Sequence, residues 1–187
     1  MPLGLVRGSL LTFITSSANK LAEVERLLGQ SLARETLALE EIQALELEPV
    51  VRHKAQQAYA QLRRPALVED TGLAFAAWNG LPGALIKWFL SALGPEGICR
   101  LLRGETNRAA LATTLFAYCD GTDCRVFAGT VAGVIPAAPR GVNGFGWDAI
   151  FQPLGSERTF AEMTPEEKDR FSMRRLALKE LHQAGLK

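Results

Sequence analysis

PALVEDTGLAF, residues 65–75, decides how this chain is read. Ala66, Leu67 and Val68 form an apolar run, Glu69 and Asp70 follow at once, and apolar residues resume with Leu73, Ala74 and Phe75. The run predicts a short buried strand that ends on the two acids, with TGLAFAAWNGLPG (71–83) as a loop-rich segment after it. Carboxylates in such a setting cost free energy unless something compensates them. An adjacent acidic pair at the end of a buried strand is therefore a candidate site.

Working outward toward the N-terminus, SLLTFIT (9–15) reads as a buried strand and SSANK (16–20) as a polar turn. A helix follows with Leu21, Val24, Leu27 and Leu28 on one face and Gly29 as its stop. Strand, polar turn and helix present backbone N–H groups to phosphate, and Lys20 adds a charge. The turn is not a Walker A sequence, so an ordinary strand-to-helix connection is the competing reading. Residues 32–39 are expected as a second strand. A further helix is expected from near Glu48-Pro49, with proline early in it and Lys54 within it. From these residues alone Lys54 is an exposed lysine, and the acids before the helix are a solvated surface.

On the other side, ALIKWFLSAL and PEGICRLLRG read as two short helices, the second ending at Gly104. Lys87 lies among apolar neighbours, where it either snorkels to solvent or meets an anion. LATTLFAYC and CRVFAGTVAGVI flank DGTD, a hairpin signal. PAAPRGVNGFGWDAIFQP is then an irregular loop, whose Phe145 and Trp147 either cap the core or stack on a planar ligand. In the last segment Thr164, Pro165 and Glu167 form a capping box. Lys168 and Arg174 are six apart and face different ways on one continuous helix. If Ser172 caps a second helix, the break lets them converge.

The 187 residues are 48% hydrophobic and 22% charged, enough for one domain over 1–187 with a real core and two lobes. A net charge of +1 disfavours a nucleic-acid-binding module. No apolar run reaches membrane-spanning length, and MPLGLVRGSLLTFITSS is too mixed for a secretory signal. Cys99, Cys119 and Cys124 form no CxxC pair and are expected as free thiols in the cytoplasm. His53 and His182, the only histidines, fall in predicted helices remote from the acidic pair, which argues against a histidine triad or a histidine-rich metal site. Carboxylates, lysines, arginines and a metal held by oxygen ligands remain as the chemistry.

Five segments together resemble the inosine/xanthosine triphosphate pyrophosphatase family, enzymes that clear damaged purine nucleotides. They are TSSANKLAEV (15–24), LEEIQ (39–43), LVEDTGL (67–73) continuing through GLPGALIKWF (80–89), GFGWDAIFQP (144–153) and TFAEMTPEEKDRFSMRRLAL (159–178). The resemblance implies an α/β fold with a mixed twisted sheet, flanking helices and two lobes around a nucleotide cleft. It also implies a homodimer and a Mg²⁺-dependent hydrolysis of a purine nucleoside triphosphate to monophosphate and pyrophosphate. By motif match, Glu41 and Asp70 hold the metal and Asp70 is the general base. Thr15, Ser16, Ser17, Ala18, Asn19 and Lys20 form the phosphate turn. Lys54, Thr71, Lys87 and Lys168 make further nucleotide contacts. Phe145, Gly146, Trp147 and Asp148, with Met173 and Arg174, form the base pocket.

The residue types fit that chemistry independently. Mg²⁺ is usually held by one or two carboxylates plus substrate phosphates. Water attack on a phosphoryl group needs alignment and charge neutralisation more than a covalent nucleophile. Arg174 offers only donors, which suit a 6-keto purine and not a 6-amino one. Glu69 either tunes Asp70 or bonds backbone. Two residues depart from the family pattern: Met173 stands where a histidine is usual, and Ser16-Ser17 where Gly-Asn is usual. These departures keep two rivals open, a hydrolase of other modified nucleotides and a non-catalytic nucleotide-binding protein.

Overall fold

The computed structural model describes residues 11–186. The first ten residues, with the start of the predicted SLLTFIT strand, lie outside the described residues. The chain opens with β1 (Thr12–Ile14), α1 (Ala18–Leu28), β2 (Ala33–Glu35) and α2 (Leu47–Leu62). It continues with β3 (Ala66–Phe75), β4 (Pro82–Gly83), α3 (Ile86–Leu101), β5 (Ala109–Cys119) and β6 (Cys124–Val134). β7 (Gln152–Pro153), α4 (Pro165–Phe171) and α5 (Met173–Gln183) complete it. None of these helices is long and apolar enough to cross a membrane.

Among the described residues the seven strands form one mixed sheet of order β2-β1-β3-β5-β6-β7, with β4 on β3. β2, β1 and β3 are parallel and the rest antiparallel. Parallel neighbours need crossovers, and α1 and α2 supply them. α1 packs with α5 on one face, through Val24, Ala177, Leu178 and Leu181 against Phe13, Leu67 and Phe116. α2 covers the other face, through Val51, Ala55 and Ala58 against Ile14, Val68 and Leu115. A third cluster gathers Leu73 and Phe75 with α3, Trp147, Phe151 and Phe160. β3 thus runs from two apolar layers, one on each face, into a third apolar cluster.

β3 is longer than expected. TGLAF continues the strand instead of leaving it, because all ten residues pair with β5, from Ala66↔Cys119 to Phe75↔Ala110. Gly72 suits that path, since a Cβ there would sit 3.0 Å from the Gly83 carbonyl oxygen of β4. Conversely, only Ala33–Glu35 of residues 32–39 is strand. α3 bears out two helical pieces, with non-helical Gly94 (φ 66°) and Pro95 at the joint, though it stops at Leu101 before Gly104. The hairpin appears as expected; of the two readings of the last segment the structure takes the one in which Ser172 caps a second helix, and Ser17, read only as part of a polar turn, caps α1. The expectation of three free thiols is corrected: Cys119 and Cys124 face each other across β5 and β6 as a disulfide, and Cys99 alone is free and buried.

Candidate active site

β1 pairs with β3 only through Thr12↔Ala66 and Phe13↔Leu67. Beyond that point the chain leaves the sheet at Thr15–Ser17 and enters α1, so β3 continues past it as Glu69-Asp70-Thr71. Carboxyl ends of parallel strands are where open α/β sheets place their ligands. A cavity of about 800 Å³ lies here. The turn at its edge is tied by its own side chains: Thr15 Oγ1 accepts from Ser17 N (3.1 Å), and Ser17 Oγ caps α1 by accepting from Lys20 N (3.2 Å). Arg34, which sequence reasoning missed, donates to the Thr15 and Ser16 carbonyls at 3.0 Å each.

Side chains alternate along a strand, so Glu69 and Asp70 leave β3 on opposite faces. Asp70 shares the α2 face with Val68. Its Oδ2 lies 3.3 Å from Lys54 Nζ, and its Oδ1 accepts from Thr71 N at 2.9 Å. The same Lys54 Nζ stands 3.3 Å from Glu41 Oε1, and Lys87 Nζ donates to Glu41 Oε2 at 2.8 Å. Two acids 29 positions apart in sequence therefore converge on one ammonium. Burial disfavours the Lys54 charge, but Asp70 and Glu41 outweigh it and raise the pKa. Burial likewise raises the Glu41 carboxyl, and Lys87 and Lys54 bring it below its ordinary value. Lys54 is a site residue here, not the exposed lysine its helix suggested. Two carboxylates closing on one cation are a donor set for a hard divalent ion; no group of three or more His, Cys, Asp or Glu suited to a metal occurs among the described residues.

Glu69 shares the α5 face with Leu67. It neither touches Asp70 nor bonds backbone, as had been expected. Its Oε1 accepts from Arg174 Nη2 at 2.9 Å and its Oε2 pairs with Lys20 Nζ at 3.0 Å. Burial pushes its carboxyl up, yet Arg174 and Lys20 prevail and hold it at about 2. Arg174 also approaches Glu23, Nη1 to Oε1 at 2.6 Å, an ion pair by distance without hydrogen-bond alignment, and its Nε has no partner. Burial opposes its charge; Glu69 and Glu23 more than restore it. Glu23 in turn meets Lys168 Nζ (3.2 Å), which reaches Asp148 (2.8 Å). Burial raises Glu23, and Arg174 with Lys168 bring it down. Burial raises the Asp148 carboxyl and Lys168 only partly offsets it. The break at Ser172 does let Lys168 and Arg174 converge, on Glu23. Sequence reasoning missed that acid, although it lies three residues after Lys20 and four before Leu27, on the buried face of α1.

The glycine-rich loop closes this end. Asp148 Oδ2 accepts from Phe145 N at 2.8 Å, and a Cβ on Gly144 (φ +75°) would sit 2.1 Å from that oxygen. Trp147 is buried against Phe151 and Phe160, so it caps the core. Phe145 is half-buried, with Lys168 Nζ 4.8 Å from its ring centroid and the Arg174 guanidinium at 5.9 Å. The cavity wall takes Thr15, Ser16, Ser17, Lys20, Glu41, Lys54, Asp70, Thr71, Lys87, Phe145, Gly146, Trp147, Asp148, Lys168, Met173 and Arg174. Ala18 and Asn19 begin α1 and do not line it.

The chain is similar to several known proteins over nearly its whole length. Inosine triphosphate pyrophosphatase of Yarrowia lipolytica is 47% identical over 176 residues, covering 91% of this chain and 93% of that one. The protein of the same name from Batrachochytrium dendrobatidis is 45% identical over 172 residues, 90% of each. Among solved structures, a nucleoside-triphosphatase/dITP/XTP pyrophosphatase from Mycobacterium abscessus superposes with a TM-score of 0.73 at 30% identity, covering 91% of this chain and 97% of that one. A HAM1 protein from Coxiella burnetii gives 0.79 at 28% identity, covering 93% and 96%. A sequence model of the Ham1 family matches residues 11–184, and the chain belongs to that family.

Proposed function

We propose that this protein is a nucleoside triphosphate pyrophosphatase, a single domain over residues 1–187. It hydrolyses inosine and xanthosine triphosphates and their deoxy forms to monophosphate and pyrophosphate. The observation that carries the reading is the meeting of Glu41 and Asp70 at Lys54, in a cavity whose far wall holds Phe145, Lys168 and Arg174. One end suits a triphosphate tail and the other a purine.

The donor set at Glu41 and Asp70 fits Mg²⁺: hard oxygens, two carboxylates, both inclined toward a cation, with phosphate oxygens to complete the sphere. When bound, the ion would supply charge neutralisation on the phosphates. Lys20, Lys54 and Lys87 add to that neutralisation from the protein, while Lys168 is held by Glu23 and Asp148 at the far wall. Asp70, steadied by Thr71 N and Lys54, is positioned to orient a water and accept its proton. Arg174 lines the cavity and its Nε has no partner, a spare donor that suits the 6-keto oxygen of hypoxanthine or xanthine. A 6-amino group would leave a buried donor unpaired, at about 1–3 kcal/mol. The protein acts as a homodimer in the cytoplasm, on the free nucleotide pool.

Product analysis with inosine triphosphate and Mg²⁺ tests the reading. Monophosphate plus pyrophosphate is expected; diphosphate plus orthophosphate, or no turnover, would sink it. Met173, buried where a histidine is usual in the family, favours a second reading, a preference for other modified bases. A thioether packs on a ring but directs few hydrogen bonds. Specificity constants over a panel of triphosphates separate the two.

A further inference from the structure

We propose that Gln43 and Trp88 are a positioning pair that holds Glu41 at the phosphate end of the cleft, an inference that rests on the pyrophosphatase reading of that cleft. Glu41 stands on residues 36–46, which have no helix or strand of their own. A carboxylate on such a segment is placed only as well as its supports allow. On its N-terminal side the segment is tied by Thr36 Oγ1 to the Thr15 carbonyl, by Gln61 Nε2 to the Ala38 carbonyl, by Glu40 N to Gln57 Oε1 of α2 at 2.9 Å, and by Leu37 and Leu39 packing on the core. On its C-terminal side the Leu45 carbonyl accepts from Ala84 N at 3.2 Å. Between those ties, beside Glu41, stands Gln43. Its Oε1 accepts from Trp88 Nε1 of α3 at 2.7 Å, and its Nε2 donates to the Glu41 backbone carbonyl at 3.1 Å. One amide side chain therefore links the indole to the backbone of the acid.

Core packing does not account for Trp88, which is 52% exposed. Its neighbour Lys87 holds the Glu41 carboxylate itself, with its ammonium 5.6 Å from the Trp88 ring centroid. α3 thus grips Glu41 twice, at the carboxylate through Lys87 and at the backbone through Trp88 and Gln43. The two grips differ in what a substrate does to them. An arriving phosphate competes for Lys87, whereas it has no charge to offer the indole–amide bond. The second grip keeps Glu41 in place while the first is exchanged.

The test uses the full-length protein with Trp88→Phe, which keeps the ring and removes the N–H, and Gln43→Leu. With inosine triphosphate, each variant should yield wild-type products and an unchanged ratio of inosine to adenosine triphosphate kcat/KM. The Mg²⁺ concentration for half-maximal rate should rise about 3- to 10-fold, the range one hydrogen bond is worth. Calorimetric binding of α,β-methylene inosine triphosphate should weaken by the same factor in Mg²⁺ and stay unchanged in EDTA. The double variant should be no worse than Gln43→Leu. A wild-type Mg²⁺ profile in both single variants, or additive losses in the double, overturns the positioning role. If the wild type releases no pyrophosphate, the pyrophosphatase reading fails, and the calorimetric comparison still decides whether the pair supports Mg²⁺-dependent nucleotide binding. Should Trp88→Phe fail to fold, Gln43→Leu, a change at an exposed residue, decides alone.

Discussion

The two ends of the cleft use the same alternation of charge and differ in burial. At the base end Lys20, Glu69, Arg174, Glu23, Lys168 and Asp148 form an unbroken chain of opposite charges. All but Lys20 are buried, between 1% and 5% exposed. At the phosphate end Asp70, Lys54, Glu41 and Lys87 form a second chain, with side chains 20%, 13%, 38% and 68% exposed. Burial makes the first chain stiff, because each charge depends on its neighbours for compensation and removing one strands the next. Exposure makes the second exchangeable, because water and substrate can replace a partner at small cost. A rigid base pocket and an adaptable phosphate end suit an enzyme that selects by base and acts on a feature all nucleoside triphosphates share.

This contrast can be broken, and the largest effect belongs to the open end. Asp70→Asn should lower turnover by about 10²- to 10⁴-fold, the span of one general base, with the melting temperature nearly unchanged. Near-normal turnover would remove Asp70 from the chemistry. Next comes Lys168→Ala, which strips buried Asp148 of its cation and leaves Glu23 with Arg174 alone for a cation. A loss of about 3–5 kcal/mol in urea unfolding is expected, and less than about 1 kcal/mol would mean the base-end chain is not stiff.

The pH profile follows in size. Glu69 holds its carboxyl at about 2 against an ordinary 4.5, so its contribution is complete above about pH 4.5 and lost as pH falls toward 2. About 3 kcal/mol rides on that window. Glu23 is lowered too and adds to the loss; Asp148 is raised and opposes it. Urea midpoints between pH 6 and 3 should fall more steeply for the wild type than for Glu69→Gln; parallel curves would contradict the assignment. Arg174→Lys keeps a charge between the two glutamates but loses the fork. It should narrow the preference for inosine over adenosine triphosphate by roughly ten- to hundredfold, and an unchanged ratio would remove Arg174 from base recognition. The smallest effect is Lys87→Ala, expected to cost under about 1 kcal/mol of stability since the pair is exposed. A loss as large as that of Lys168→Ala would erase the distinction between the ends.

Much of the fold could be read from local pattern. The turn at Ser16-Ser17, the stop at Gly29 and the DGTD hairpin are written in adjacent residues and appeared where expected, while the structure chose the capped second helix at Ser172 over one continuous helix. The extension of β3 through TGLAF did not announce itself, because ten consecutive pairings with β5 override the turn signal of Thr71-Gly72. The pairing of Cys119 with Cys124 escaped notice for a related reason: strand register, not spacing, sets the two opposite each other.

The site divides the same way. The acidic pair Glu69-Asp70 stood out by residue type alone, whereas Glu41, Lys54, Lys87 and Arg174 were candidates through the family resemblance. Where those charges find compensation was left to the tertiary structure. Period-two alternation separates Glu69 from Asp70, but only the placement of α5 and α2 on opposite faces of the sheet gives one to Arg174 and the other to Lys54. Glu23 and the Gln43–Trp88 bond belong wholly to the folded molecule. A buried charge is defined by its partners, and partners 20 to 151 positions apart become neighbours only through packing.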